Sequence, residues 1–590
     1  MRTNQFAIKT LVSDEIFTDR QYFLDLFYNE ALKATTRRSS SMVLLGQRLM
    51  GKTEIFKRVV NRLFFLQDHK DSNAVVPVYY KFPDVVTDPW QFSIEYVENF
   101  IRWYTAFQMG NPDILTKESY VKPKELPEFV KSNIDMTSGF EGSLRLLERL
   151  LERDGIYPEK AAVNLPRMVS DYDDSTIVMF LDEIQNLHLP QHDFRVVGYM
   201  QDAVESPTCP HYVTGSAMSI LFKILGTGSL YGRFKDKPIK QFTDYYGAEL
   251  VRKSSKFNNT KIPETMTPVI SERCGGNPFY INAVVEQSVE QGLELTSEEA
   301  INKILAIDLS AGFIYAELRD QVIKWIKRLN DQNITKWILY LSALEKEKRI
   351  DPERIQRELK RQEGKDVDLE KIKSVMIGLA QGDLIDYKSF GDWFTHVNDP
   401  ILQEFLKVWG KIEVAGITRA EVEEETISKY ESIKKKYNNY KGYLAEVFII
   451  QILWNNQKKT LDGKYFNYPE NIKMPGRFIY IAHRSKLGAG RGKEIDIYAT
   501  AGSNVWVVES KWWKNPVDVN VVKNLMKQGD IVKEIRGKDL KKITLWLFAS
   551  NGVTENAKKM MEENGILWST KDNLNALLKD SDLRKLPEID

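Results

Sequence analysis

Four short apolar runs punctuate the first 245 positions: "SMVLLG", "NAVVPVYYKF", "STIVMFLDE" and "HYVTGS". Each has strand length, and stretches of helical periodicity separate them. That alternation predicts a largely parallel sheet layered with helices over residues 1–245. Residues 246–329 are mostly helical in pattern. Residues 330–410 read as short helices, then a hairpin in "GDLIDYKSFGDWFTHVNDP" and a last helix in which Ile401, Leu402, Phe405 and Leu406 share a face. Residues 411–437, with "EVEEETISKYESIKKKY", form a charged helical connector. Residues 438–590 return to an α/β pattern: helix, three strands, helix, strand, helix.

Composition fits this division. A chain of 590 residues is too long for one core, and 43% hydrophobic with 28% charged residues is ordinary for globular domains. No apolar run reaches the ~18 residues of a membrane span, and the N-terminus has no signal-peptide core. Cys209 and Cys274 lie far apart and have no metal-ligand spacing. A cytoplasmic protein without a membrane partner is therefore expected. The net charge of +1 leaves no global field for nucleic acid, so any such contact must use local patches.

"SMVLLGQRLMGKTEIF" fits G-x-x-x-x-G-K-[ST] from Gly46 through Gln47, Arg48, Leu49, Met50 and Gly51 to Lys52 and Thr53. A strand precedes it, and an amphipathic helix with Ile55, Phe56, Val59, Val60 and Leu63 comes next. Backbone N–H groups and the helix N-terminus would cradle phosphates. Lys52 would reach the β- and γ-phosphates, and Thr53 would hold Mg²⁺. "TIVMFLDEIQNL" is a buried strand ending in two acids. Asp182 fits the second Mg²⁺ partner and Glu183 the base acting on water. The alternative for Asp182 is a helix N-cap.

The elements around these motifs resemble the archaeal-type ATPases related to the STAND branch of AAA+ proteins, over residues 10–330. "IFTDRQYFLDLF", with Phe17, Asp19 and Arg20, resembles the N-terminal motif that lies against adenine. "HYVTGSAMSIL" resembles the sensor 1 strand, with Thr214 and Ser216 near the γ-phosphate. "GSLYGRF" resembles that family's "PLYGR" element, with Ser229 in place of proline. It makes Arg233 an arginine sensor or finger, in its own subunit or a neighbour's, or else a surface charge in a turn. "ERCGGNPFYINAV" resembles the turn in which Pro278 opens a lid helix. The hairpin-and-helix segment of residues 330–410 resembles a winged helix, which either binds DNA or packs on a neighbour.

Toward the C-terminus, "NVWVVESKWWK" (504–514) alternates so that Val505, Val507, Glu509 and Lys511 share one face. Upstream, Asp496 sits between Ile495 and Ile497, costly as plain core and useful as a metal ligand. "TAGSN" would join the two strands as a hairpin, bringing Asp496 beside Glu509. Two carboxylates and the Ser510 carbonyl suit a hard divalent cation. Lys511 would orient water or stabilise charge. Glu446 lies on an amphipathic helix, "YKGYLAEVFIIQIL", that could complete the cluster. The order helix Glu, strand Asp, strand Glu-x-Lys resembles the PD-(D/E)xK nuclease superfamily, over residues 438–575. Ile495 stands where that motif has its leading proline, and Gln528 where some relatives have a polar residue facing the site. Glu509 and Lys511 as a plain surface ion pair is the alternative. The loop "HRSKLGAGRGK", with His483, Arg484, Lys486, Arg491 and Lys493, is a phosphate clamp or a solvated loop. Trp512, Trp513 and Lys514 would stack on bases, or else pack the core or a domain interface.

Taken together, the expectation is a multidomain α/β chain. It has an AAA+-like parallel sheet with a helical lid, a winged helix, and a restriction-endonuclease-like domain at the C-terminus. The cofactors would be ATP and Mg²⁺ (or Mn²⁺). The substrate would be DNA, with RNA not distinguished, cleaved at Glu446, Asp496, Glu509 and Lys511. A nucleotide-dependent homo-oligomer is compatible with the motifs. The alternative is a nucleotide-switched scaffold that binds DNA or protein through a non-cleaving nuclease fold.

Overall fold

The computed structural model describes residues 6–84, 88–116, 121–155, 157–188, 196–215, 230, 232–329, 332–345, 349–364, 366–388, 393–487, 493–513, 515–583 and 585–586. The chain divides into two compact units, Met1–Ile427 and Ser428–Asp590.

The first unit is built on a five-stranded sheet of β1 (Met42–Leu45), β2 (Val75–Lys81), β3 (Thr176–Asp182), β4 (His211–Gly215) and β5 (Lys235–Pro238), in the order β2-β3-β4-β1-β5. All four pairings are parallel. Helices cover a parallel sheet on both faces, so its inner strands must be apolar throughout. Accordingly β1 and β3 are buried along their whole length. The helix Lys52–Phe65 buries Ile55, Phe56, Val59, Val60 and Leu63 on the sheet. Phe56 meets Phe180 edge to face at 5.4 Å, and Phe180 meets Tyr212 at 5.3 Å. β5 is an exposed edge strand of sequence KDKP, which carried no strand signal. A glycine-rich loop between the inner strand β1 and its helix, in this strand order, makes the first unit an AAA+-like P-loop α/β fold.

Helices come after the sheet, among them Asp244–Phe257, Pro278–Glu290, Glu298–Ala311 and Phe313–Arg328. The Pro278 helix starts from a turn with Gly275 and Gly276 at φ +59° and +63°. A Cβ on Gly276 would come within 2.5 Å of the Phe242 carbonyl oxygen. Asn277 then caps the helix by accepting the Phe279 N–H, with Pro278 at the first helical position. Next comes a small antiparallel sheet of β6 (Arg349–Ile350), β7 (Asp386–Lys388) and β8 (Trp393–Thr395) in the order β6-β8-β7. The helix Pro400–Glu413 buries Ile401, Leu402, Phe405 and Leu406. A single helix, Arg419–Asn455, covers much of the charged connector and the first helix of the C-terminal block.

In the second unit, β9 (Thr460–Leu461) pairs with β10 (Ile472–Lys473). The main sheet has the order β11 (Tyr480–Leu487), β12 (Lys493–Ala501), β13 (Asn504–Lys511), β14 (Lys542–Ala549) and β15 (Leu567–Ser569). β11, β12 and β13 are antiparallel, whereas β13, β14 and β15 are parallel. The parallel step needs a crossover, and the helix Val519–Arg536 supplies it. The sheet is packed on both faces. Ile497, Trp506, Val508, Trp546 and Phe548 belong to one core, while Ile495, Tyr498, Val505, Val507 and Leu547 belong to the other. Among the described residues, no helix is long and apolar enough to cross a membrane.

Candidate functional site

The loop after β1 turns through Leu49 at φ +62° and Gly51 at φ +86° before the Lys52 helix starts. Gly46 has no room for a side chain, since a Cβ there would lie 2.3 Å from Ile239 Cγ2. Arg48 through Thr53 line a cavity of about 550 Å³. Lys52 is buried, and its Nζ donates to the carbonyls of Gly46 at 2.7 Å and Gln47 at 2.5 Å. Burial pushes its ammonium down to about 8, opposed by the negative charges of Glu183, Asp182 and Asp383.

Thr53 lines this cavity and meets the buried Asp182, which does not line it. The Thr53 hydroxyl donates to Asp182 Oδ2 at 2.8 Å, and the Tyr79 hydroxyl donates to the same oxygen at 2.8 Å. Asp182 is 1% exposed. Burial and then Glu183 raise its carboxyl above the usual range, against the two hydroxyls. Its side chain therefore faces the phosphate loop rather than serving only as a helix cap, although Oδ1 also accepts the Glu183 N–H at 3.0 Å. Glu183 lines the cavity with backbone φ +57°, a left-handed conformation that a glutamate adopts at a cost. Gln185 donates to its carboxylate. A hydroxyl and a carboxylate already in contact form a donor set that could hold Mg²⁺ beside a phosphate. Leu11, Val12, Pro278 and Phe279 add an apolar stretch of wall.

Other residues singled out from sequence stand elsewhere. Asp19 and Arg20 are not among the cavity's lining residues. Arg20 donates to the Lys240 carbonyl at 2.9 Å and stacks on Phe242 at 4.4 Å. The N-terminal segment instead reaches the cavity through Leu11, whose N–H donates to Glu54 at 2.7 Å. Thr214 is buried in β4, and its hydroxyl donates to the Leu44 carbonyl at 3.3 Å. Ser216 lies outside the described residues. Arg233 pairs with Glu205 at 2.6 Å and does not line the cavity. Gln47 turns away, donating to the Asn398 carbonyl at 3.3 Å. Arg48 reaches Gln321 at 3.0 Å and the Gly382 carbonyl at 3.0 Å. These contacts tie the phosphate loop to the later helices of the first unit, which no motif foretold.

In the second unit the hairpin ladder runs as far as the Ile497–Val508 pair, and Asp496 and Glu509 are the next residues of the two strands. The Ser510 N–H donates to Asp496 Oδ2 at 2.8 Å. Lys511 Nζ lies 2.5 Å from Glu509 and 3.6 Å from Asp496. Burial and then Glu509 push the Asp496 carboxyl up to about 6, with Lys511 opposing. Glu509 is 8% exposed, and Gln528 from the crossover helix donates to it at 2.9 Å. An ion pair so enclosed and hydrogen-bonded is not a surface pair. Glu446 is buried and engaged by Arg484 at 2.9 and 3.1 Å and by His483 Nε2 at 2.5 Å. Arg484 adopts φ +52° within β11, between the paired positions His483–Ile497 and Ser485–Ile495. Trp512 packs near Phe548, with ring centroids 5.9 Å apart, while Trp513 is exposed. Arg491 and Lys514 lie outside the described residues. Two facing carboxylates with the Ser510 carbonyl could hold one hard cation. Among the described residues no group of three or more His, Cys, Asp or Glu side chains is arranged to do so.

No protein-family profile matches the chain, and no curated protein does. Among solved structures, a Walker-type ATPase of Pyrococcus abyssi is 15% identical with a TM-score of 0.41, over 68% of this chain and 99% of that one. The ORC1 protein of Aeropyrum pernix, solved in complex with DNA, is 12% identical with a TM-score of 0.37, over 69% and 97%. The RuvB Holliday junction branch migration motor of Thermotoga maritima is 10% identical with a TM-score of 0.30, over 69% and 99%. Likenesses this shallow assign no activity, and the chemistry rests on the two side-chain clusters, one in each unit.

Proposed function

We propose that the first unit binds and hydrolyses ATP and that its nucleotide state governs how the chain engages DNA. The observation that carries this is the hydrogen bond to buried Asp182 from Thr53, which lines a cavity walled by the phosphate loop. Loop N–H groups and Lys52 would take the phosphates, leaving the Gly46 and Gln47 carbonyls. Thr53 and Asp182 would hold Mg²⁺, which supplies charge neutralisation for phosphoryl transfer. Glu183, turned into the cavity, would orient water. Pro278 and its helix would act as a lid. Arg233, paired with Glu205 away from the cavity, would serve a neighbouring subunit in a nucleotide-dependent oligomer. The small antiparallel sheet and its helices would act as a winged helix. A cytoplasmic setting is part of this reading.

For the second unit the proposal is metal-dependent cleavage of DNA phosphodiesters, on a restriction-endonuclease-like fold. Its support is the facing pair Asp496 and Glu509 with Lys511 against both. The two carboxylates would hold Mg²⁺ or Mn²⁺, which would activate water and stabilise the developing charge. A second reading has its own observation. Glu446 is committed to Arg484 and His483, and no three-acid group stands ready for a metal among the described residues. That favours a nucleotide-switched scaffold whose nuclease-like fold holds DNA or a protein without cutting. The test assays the full chain on linear, nicked, branched and single-stranded DNA with Mg²⁺ or Mn²⁺, with and without ATP. Lys52→Ala should abolish ATP turnover, and turnover intact in that variant refutes the ATPase reading. Cleavage lost in Asp496→Ala with ATP turnover retained supports the nuclease. DNA binding without cleavage in the parent supports the scaffold.

A further inference from the structure

The helix acid Glu446 is the centre of a cluster in the second unit. Its side chain is only 4% exposed, yet its carboxylate meets two residues that are neighbours in the chain. Arg484 donates from Nε at 2.9 Å and from Nη2 at 3.1 Å, one to each oxygen. His483 Nε2 lies 2.5 Å from the oxygen that Nε meets. Successive side chains of a regular strand point to opposite faces, so adjacent residues do not share one partner. Arg484 breaks that alternation. Its φ of +52° is left-handed, a conformation that a residue other than glycine holds only where its surroundings fix it. β11 is the edge of its sheet, where strands tolerate such a break. Tyr443, one turn before Glu446 on the helix Arg419–Asn455, backs both groups. Its ring meets His483 edge-on at 4.8 Å, and the Arg484 guanidinium carbon lies 5.6 Å from its centroid.

The cluster fixes a guanidinium and leaves part of it over. A guanidinium has five N–H donors, and the grip on Glu446 uses one from Nε and one from Nη2. Nη1 lies outside that grip, and the Arg484 side chain is 45% exposed. An exposed arginine ordinarily loses rotamer freedom when it binds, but one clamped to a buried carboxylate has lost it on folding. The position of Arg484 indicates what its outer edge meets. It lies between the pairs His483–Ile497 and Ser485–Ile495, beside the stretch of β12 that carries Asp496. The Asp496 and Glu494 carboxylates both act on its charge. A DNA strand drawn to Asp496 and Glu509 brings its phosphates against carboxylates. Lys511 is held by both of those acids, whereas Arg484 has donors to spare beside them. The guanidinium fork matches phosphate as well as it does carboxylate.

We propose that the outer edge of Arg484 binds a backbone phosphate of DNA, with Glu446 as the mount that holds the guanidinium in place. This rests on the reading that the chain engages DNA, and it applies whether the second unit cuts the strand or only holds it. Glu446 is then a positioning residue, acting on DNA through Arg484.

The test is fluorescence anisotropy of the full chain on a labelled duplex and a labelled single strand, in chelator and without nucleotide, over a series of salt concentrations. Arg484→Ala should weaken binding about tenfold at low salt. It should also reduce the slope of log affinity against log salt by about 0.9 on duplex or about 0.7 on single strand, the share of one phosphate. Because that variant strands the Glu446 carboxylate, Glu446→Gln combined with Arg484→Ala removes both charges together. The double variant should stay weak, with the same reduced slope. Arg484→Lys, which keeps the charge and loses the fork, should keep the parent's slope. Glu446→Gln alone should weaken binding about threefold with the slope unchanged, since the phosphate contact persists on a looser arm. Tighter binding with a steeper slope in that variant means that Glu446 only masks a charge, and overturns the mount. A double variant that regains the parent's affinity and slope, or Arg484→Ala binding as the parent does, overturns the phosphate contact. A parent that binds neither DNA overturns instead the reading that the chain engages DNA.

Discussion

Asp308 offers a sharp quantitative test of the first unit, because it holds the start of the helix Phe313–Arg328, which lines the cavity. It is completely buried, and one carboxylate oxygen accepts the Ile314 N–H at 2.8 Å. Among the described residues the other oxygen has no hydrogen-bond partner, and neither does the buried Gln287 Oε1. Burial is the main cause that pushes this carboxyl up to about 7, aided by Glu286 and Glu290 and opposed by the Ile314 and Phe313 N–H groups. A raised carboxyl binds its proton more tightly folded than unfolded, so stability is greatest at low pH and is lost as pH rises through about 7. From 3.8 to about 7 is roughly 3 pH units, or about 4 kcal/mol at full ionisation. Asp308→Asn keeps the acceptor for Ile314, offers an N–H toward Gln287 and cannot ionise. It should therefore stabilise by about 2 kcal/mol at pH 5 and by about 4 kcal/mol at pH 8. Urea unfolding of variant and parent, read by tryptophan fluorescence across that range, measures the difference. A gap that stays constant or shrinks with pH refutes the account of Asp308 as an uncompensated buried acid.

Thr53→Val removes one of two hydroxyls on the buried Asp182 and should cost about 1.5–3 kcal/mol in urea unfolding. The same variant should lose Mg²⁺-dependent nucleotide affinity, and unaltered affinity would remove Thr53 from the site. Gly276→Ala forces a left-handed φ of +63° on alanine and a Cβ 2.5 Å from the Phe242 carbonyl oxygen, so the melting temperature should fall. Gly364→Ala, also left-handed but in open space, should cost only about 1 kcal/mol and is the control. Lys511→Met strips the cation from two facing carboxylates and drives the raised Asp496 carboxyl higher still. Destabilisation in chelator should be about 2 kcal/mol or more at pH 8 and recede toward pH 5. A loss independent of pH would mean that Lys511 acts by packing alone.

Much of this arrangement was legible in the chain. Glycine placement forces the phosphate loop, and continuous apolar runs announce strands buried on both faces, as β1 and β3 are. Strand alternation put Val505, Val507 and Glu509 on one face, and the hairpin register comes from a turn at Gly502 with φ +66°. Arg48 lay inside the glycine-loop motif, which carries no mark of its contacts with Gln321 and Gly382. The edge strand KDKP was equally silent, because edge pairing satisfies backbone groups and asks little of side chains. Asp19 and Arg20 show the converse: a motif resemblance named them, while the cavity wall uses Leu11 and Val12.

Local sequence thus determined which segments could cradle phosphate and which acids had no reason to be buried. Periodicity and backbone sterics act over a few residues, so they are written in the chain. Which groups found partners was decided only by folding. Arg48 is held by Gln321, 273 positions away, Glu446 by Arg484, and Glu509 by Gln528. Those pairings depend on distances between elements far apart in sequence.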